Sequence, residues 1–451
     1  LKSWQLATQY FRKFNLSIQA PGSIAPLVVL RMVTGMLMLV GTVRFWWLGW
    51  IEDHYIQPAI HFSYYGFEWV TVLPAFWMYT LHSIMIAAAF CVVLGAWFRL
   101  TSFILFASFT YVELIDLTYY LNHYYFVSIL LLLLCFSPAH RAYSYDCFRN
   151  ASLHVSHIPR GWILLFQFFL GLVYTYAGLA KINHDWLMEA LPLKIWLPAH
   201  DKVPFLGVLF RWELAPYLFS WGGMLYDCTV VWWLTMRQTR PFAYLLVIVF
   251  HLLTGILFQI GMFPFVMIGA TLIFFSPEWH QRILHRLHTV LYIPPKRIEL
   301  EPLSKAKIGV LSLFLLFQLL FPWRYLMYPG NLFWTEEGYR FSWRVMLMEK
   351  AGTATFYVKN SLTGREGVVV NSEFLNPHQE KQMAMQPDMI LQFAHFLQKH
   401  YSDATQIPTV RAEVWVTLNA RPSALLFDPT LDLTQIKDSW SPKSWLNPAP
   451  Q

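Results

Sequence analysis

The residue with the greatest chemical potential is an amine at the edge of hydrocarbon. Lys181 follows a mostly apolar run, Ile163 to Ala180, long enough to cross a bilayer, and precedes Ile182-Asn183-His184-Asp185-Trp186. An ammonium near hydrocarbon is costly, so such a lysine either reaches back to the headgroups or stays neutral and acts as a base, burial disfavouring its charged form. Other polar groups lie at similar depth. Glu113-Leu114-Ile115-Asp116 leads into Asn122-His123, and His251 sits well inside Val247 to Gly255. With the spans assigned below, Lys181, His123, His251 and Asp116 converge in the outer half of one bundle. Each alone has a plainer reading: a terminal lysine usually snorkels, and a single intramembrane histidine is usually hydrogen-bonded structure. His123 and His251 could also be haem ligands on facing spans, though that leaves the lysine unexplained. Arg31 and Arg44, at the two ends of the first span, read as structural: Arg31 snorkels to the cytoplasmic interface or pairs with a carboxylate. The chain has no Gly-rich phosphate loop, no nucleophile elbow and no H-E-x-x-H helix.

The elements that must position these groups are membrane helices. Of 451 residues 56% are hydrophobic and only 13% charged, half the charge of an ordinary soluble domain, which makes lipid the expected solvent. The 21 Trp and 23 Tyr suit interfacial belts. Hydropathy predicts nine spans, near 25–48, 76–96, 101–120, 123–138, 162–181, 216–236, 241–261, 263–277 and 307–322. Fifteen Lys and Arg then fall on one side and three, Lys194, Lys202 and Arg211, on the other. The net charge of +7 therefore reads as topology rather than nucleic-acid binding. The N-terminus is expected in the cytoplasm and everything past residue 322 outside, in periplasm or lumen. Residues 1–24, with Trp4, Leu6, Tyr10, Phe11, Phe14 and Leu16 opposite Lys2, Arg12 and Lys13, read as an interfacial segment. Residues 25–322 form the helical bundle. Residues 323–451 read as an outer, β-rich α+β domain, with Ala354–Val358 and Ala412–Leu418 alternating as strands and Met389, Ile390, Phe393, Phe396 and Leu397 on one helical face. Four cysteines without paired spacing predict neither a disulfide framework nor a metal site.

From Ala177-Gly178-Leu179-Ala180-Lys181-Ile182-Asn183-His184-Asp185-Trp186 onward the chain resembles the vitamin K-dependent γ-glutamyl carboxylase family, within the wider HTTM-domain group. Leu114-Ile115-Asp116-Leu117-Thr118 with Asn122-His123-Tyr124-Tyr125 resembles the family's Asp and Asn-His segment. Phe250-His251 with Gln259-Ile260-Gly261-Met262-Phe263 resembles its later histidine span, and Ser276-Pro277-Glu278-Trp279 follows in place. The outer region adds Gly338-Tyr339-Arg340-Phe341-Ser342-Trp343, Val414-Trp415-Val416, Phe427-Asp428-Pro429 and Ser439-Trp440-Ser441-Pro442. The likeness runs from about Arg31 to Leu446.

The resemblance implies an integral membrane enzyme, a carbon–carbon lyase. It would oxidise reduced vitamin K, a menaquinol or phylloquinol cosubstrate, with O2 to the 2,3-epoxide, coupled to carboxylation by CO2 of glutamate in a peptide or protein. Oxygenation of the quinol supplies the driving force that no side chain has against a glutamate γ-C–H. Lys181 matches the family's base for the hydroquinone, while His123 and His251 match catalytic residues at the quinol site, with Asn122 and Asp116 orienting or binding there. The quinol would enter from lipid and the peptide from outside; neither a metal nor nucleic acid is implied. Animal members carry a Lys-Lys pair where this chain has Ala180-Lys181, so burial alone is expected to keep this amine neutral. The short chain and unmatched cysteines suggest a bacterial-type member. The alternatives are a quinol epoxidase without glutamate carboxylation and a non-catalytic membrane scaffold or transporter.

Overall fold

The computed structural model describes residues 15–204, 206–258, 260–286 and 299–450. Of the amphipathic N-terminal pattern only Leu16 falls among them, and Gln259 also lies outside. Each apolar run of the sequence is a helix: α1 (Ala25–Trp47), α2 (Ala75–Leu94), α3 (Phe98–Ile115), α4 (Asn122–Phe136), α5 (Gly161–Ala180), α6 (Ala215–Thr235), α7 (Arg240–Phe258), α8 (Phe263–Thr271) and α9 (Lys305–Leu320). Among the described residues, six helices are long and apolar enough to cross a membrane: α1, α2, α3, α5, α7, and α9 with its continuation to Met327. The expected nine are thus six by length and composition. The helices α4 and α8 are shorter apolar segments, and α6, continuous over 21 residues, is made less apolar by Asp227 and a Gly222-Gly223 pair.

Packing among the helices explains two of the odd residues. Arg31 does not snorkel, and among the described residues it forms no ion pair with a carboxylate. It is fully buried, and its guanidinium donates to Ala139 O at 2.8 Å, Tyr143 O at 2.6 Å and Ala142 O at 3.3 Å. These carbonyls lie beyond the end of α4, where carbonyls lack helical partners. Gly95 ends α2 at φ +64°, and a Cβ there would lie 2.7 Å from Arg31 Nη1. A short antiparallel pair, β1 (Pro21–Ser23) with β2 (His157–Pro159), ties the entry of α1 to that of α5.

The C-terminal part carries a four-stranded antiparallel sheet of order β4-β3-β5-β6, from β3 (Lys350–Lys359), β4 (Glu366–Val368), β5 (Thr409–Leu418) and β6 (Ala424–Leu425). The long pair runs in register from Lys350 opposite Leu418 to Lys359 opposite Thr409. Alternate β5 residues, Val410, Ala412, Val414, Val416 and Leu418, are buried, the period of two that a half-buried strand requires. Two helices cover that face, α10 (Pro377–Met383) and α11 (Pro387–Tyr401). From α11, Met389, Ile390, Phe393, Ala394 and Leu397 point inward, with Phe393 edge-on to Phe356 of β3 at 4.9 Å. This core continues into loops between the membrane helices: Phe62, Leu117, Trp186 and Leu193 pack in the same cluster.

Candidate functional site

The helices α4 to α8, the connection between α5 and α6 and one outer segment build a cavity of about 130 Å3, lined among others by Asn122, His123, Lys181, Asp227, His251 and Trp343. Lys181 stands at the C-terminal end of α5, and its side chain turns inward rather than toward headgroups, with the whole residue only 6% exposed. Its Nζ donates to Asp227 Oδ2 at 2.7 Å and to Ala177 O at 3.1 Å, and lies 5.4 Å from the centre of the Trp186 ring. Asp227 comes from the middle of α6 and is as deeply buried. Lipid-facing or core positions rarely hold such groups unless they are paired. Burial alone therefore does not set the amine's state; a buried carboxylate faces it.

The sequence reading missed Asp227. The signal was present in Tyr226-Asp227-Cys228, an acid inside an otherwise apolar helix, and by the rule used for Lys181 it was a candidate.

The two histidines reach the same cavity from different helices. His123 is at the start of α4, His251 within α7, and both rings contact Phe263, with centroids at 5.3 and 5.4 Å. His251 Nε2 lies 3.0 Å from Tyr174 OH, which is also 3.4 Å from Thr271 Oγ1. Thr271 already donates its proton to Met267 O at 2.7 Å. The Tyr174–His251 bond can run in either direction, and the side of the imidazole that carries its proton follows from that direction. The His251 Nδ1 is buried with no hydrogen-bond partner among the described residues, so it is left to bond a ligand.

Asn122 lines the cavity from its outer end. Its Nδ2 donates to Arg344 O at 2.7 Å, and its Oδ1 accepts from Tyr120 OH at 3.1 Å. Asp116 is a different case. It does not line the cavity. Its Oδ1 accepts from the Thr118 backbone at 2.9 Å and Thr118 hydroxyl at 2.7 Å, and its Oδ2 from Gln379 Nε2 at 2.7 Å. The chain leaves α3 at Asp116 with extended backbone, φ −138°, which turns the carboxylate away from the bundle and toward α10. Here it ties the outer region to the bundle, apart from the other site residues.

A second cavity of about 390 Å3 adjoins the first and shares His123, Phe258 and Ile260 as walls. Its lining is apolar apart from a few groups, Glu113 and Tyr124 among them. Among the described residues no three His, Cys, Asp or Glu come together as a metal site would require.

Comparison with known proteins bears on both parts of the molecule. The family model for the HTTM domain matches residues 19–279, and that for the vitamin K-dependent gamma-carboxylase lumenal domain matches residues 303–451. No solved structure matches the chain. The first match covers more than half of the chain and contains Lys181, His123, His251 and Asp227, while the second contains the segment that closes their cavity. The chain belongs to the vitamin K-dependent gamma-carboxylase family of HTTM-domain membrane proteins, as a carboxylase-like membrane enzyme with an extracytoplasmic C-terminal region.

Proposed function

We propose that the protein oxidises reduced vitamin K with O2 to the 2,3-epoxide and uses that reaction to carboxylate glutamate in a polypeptide. The bundle over residues 25–322 would hold the quinol site, the part over 323–451 would receive the polypeptide outside, and the N-terminus would be cytoplasmic. The observation that carries this reading is the Lys181 amine, bonded to Asp227 at 2.7 Å in a buried cavity whose walls include both imidazoles.

The cavities fit such a substrate. A dry cavity of about 150 Å3 takes a benzene-sized ligand, so the 130 Å3 beside Lys181 holds one ring. A bicyclic diol with an isoprenoid chain would extend into the adjoining 390 Å3. Together the two fall within the roughly 300–1,000 Å3 of ordinary ligand sites.

The substrate supplies the redox chemistry: one quinol, one O2, one glutamyl C–H and one CO2 become the epoxide, a γ-carboxyglutamate and one water. The protein's residues handle protons and position. Lys181 and Asp227 together carry one transferable proton. With it they are ammonium and carboxylate; without it the amine is free to take the hydroxyl proton of the diol, and Asp227 then neutralises the charge acquired. With its proton on Nδ1, the unpartnered side of the ring, His251 would donate to oxygen that gains negative charge, a role worth orders of magnitude in a water-excluded site. His123 would hold the ring from α4, and Asn122 would fix the outer rim. Aromatic and aliphatic walls exclude water, which strengthens each of these interactions.

The test is to incubate purified protein with vitamin K hydroquinone, O2, labelled CO2 and a glutamate-containing peptide, scoring epoxide and fixed label separately. Both are expected. Epoxide without label would leave a quinol epoxidase, and neither product would reject the assignment.

A further inference from the structure

The roof of the cavity comes from outside the bundle. Trp343, Val345 and Met346 line it, and they belong to the stretch that leads into the outer sheet. Trp343 is 1% exposed, stacked on Tyr125 at 4.9 Å and edge-on to Phe169 at 5.8 Å. Two features of this residue are unfavourable as the protein stands. Its Nε1–H is buried with no hydrogen-bond partner among the described residues. Its backbone has φ +61°, with Phe341 at +57° and Met346 at +51° nearby, a left-handed conformation that side chains other than glycine rarely adopt. Orphaned buried donors are uncommon in folded proteins and call for an explanation. So do left-handed residues gathered at one site, where strain is held in place by the surrounding structure. Tyr125 and Phe169 clamp the indole. Asn122, itself a wall of the cavity, holds the next carbonyl, that of Arg344, at 2.7 Å. The stretch is thus fixed where an N–H has nothing to bond and a cavity lies alongside.

Resting on the proposed quinol site, we infer that the Trp343 indole N–H donates a hydrogen bond to an oxygen of the diol bound beside Lys181. The binding site is then shared between the bundle and the outer domain. Trp343 becomes a positioning residue that holds the ring from above while the amine takes the proton, and an outer domain that shifts on meeting its polypeptide also shifts the quinol.

The test measures Kd for vitamin K hydroquinone without O2, so that no turnover intervenes. It compares wild-type protein, Trp343→Phe, and protein with β-(3-benzothienyl)alanine placed at position 343, which keeps the ring's shape and lacks the N–H. The benzothienyl protein is expected to bind about tenfold more weakly. Its Tm without ligand should be equal or higher, because an unpaired donor has been removed. Trp343→Phe should lose at least as much affinity. Unchanged Kd for the benzothienyl protein, with wild-type binding intact, would overturn the inference and leave the proposed function standing. No binding by the wild type would reject the quinol site, and this inference with it.

Discussion

At the scale of single residues the account rests on Lys181 and on the carboxylate that faces it. A carboxylate at 2.7 Å makes the amine one half of a unit, so removing the partner should do more than change a charge. Asp227→Asn keeps the shape and much of the hydrogen bonding but takes away the negative partner of the protonated amine. Epoxide formation should fall by about a hundredfold or more, the scale of a positioned acid–base group, with quinol affinity far less affected. Equal rates for the two proteins would show that the pair is only structural. The sequence made Lys181, His123 and His251 legible because ionisable groups in apolar runs are conspicuous. Asp227 was as conspicuous by that rule, but no recognised motif surrounds it. Asp116 stands apart from the cavity walls, which its neighbours in sequence do not reveal because nothing in them marks a turn in the backbone at the end of α3. Only the extended φ and the bond to Gln379 show which way the carboxylate faces.

At the scale of elements, what brings amine and carboxylate together is the close approach of α5 and α6. Gly178, three residues before Lys181, allows it: a Cβ there would lie 2.8 Å from the backbone N of Cys228 and 2.5 Å from its Sγ. Gly178→Ala should therefore push the helices apart, at a cost of roughly 1–3 kcal/mol, and reduce epoxide formation along with Tm. A variant with normal Tm and normal activity would show that the contact is not needed. Apolar runs predicted where helices lie, because lipid demands continuous helices with their backbone bonds closed. They did not reveal how many are long enough to cross. The shorter α4 and α8, which begin at Asn122-His123 and at Phe263, look like full spans in sequence, and their first residues line the site.

At the scale of the whole molecule, the question is how the outer part is held over the bundle. Asp185, four residues after Lys181, receives Arg421 Nη2 at 2.7 Å, Arg421 Nη1 at 2.9 Å and Asn419 Nδ2 at 2.7 Å. Arg421→Ala should cost roughly 1–2 kcal/mol, since this bidentate pair is only partly shielded. The Arg421 hydrogen bonds, opposed by burial, hold the Asp185 carboxyl below its usual range. A depressed value means that the stabilisation is complete above about pH 4, the unfolded carboxylate's range, and disappears as pH falls through the folded-state value. The Tm gap between wild type and Arg421→Ala should thus be full at pH 7 and close in stronger acid; a gap independent of pH would exclude this bracket. The proposed topology is tested by single cysteines introduced into the chain with its native cysteines replaced. Ser441→Cys should react with a membrane-impermeant reagent in intact cells and Arg149→Cys should not, and the reverse pattern would invert the protein. The sequence showed the outer strands because one face of the sheet is buried against α11 and alternation follows. It could not show a bond between residues 236 apart, such as Asp185 to Arg421, because nothing local specifies it.

The most direct measurement is epoxide formed from reduced vitamin K under O2 by purified wild-type protein and by Lys181→Ala, with folding matched by Tm. The expected result is epoxide from the wild type, none from the alanine variant, and partial recovery when a small primary amine is supplied. Equal epoxide from both proteins would contradict the central claim that the buried amine is the base.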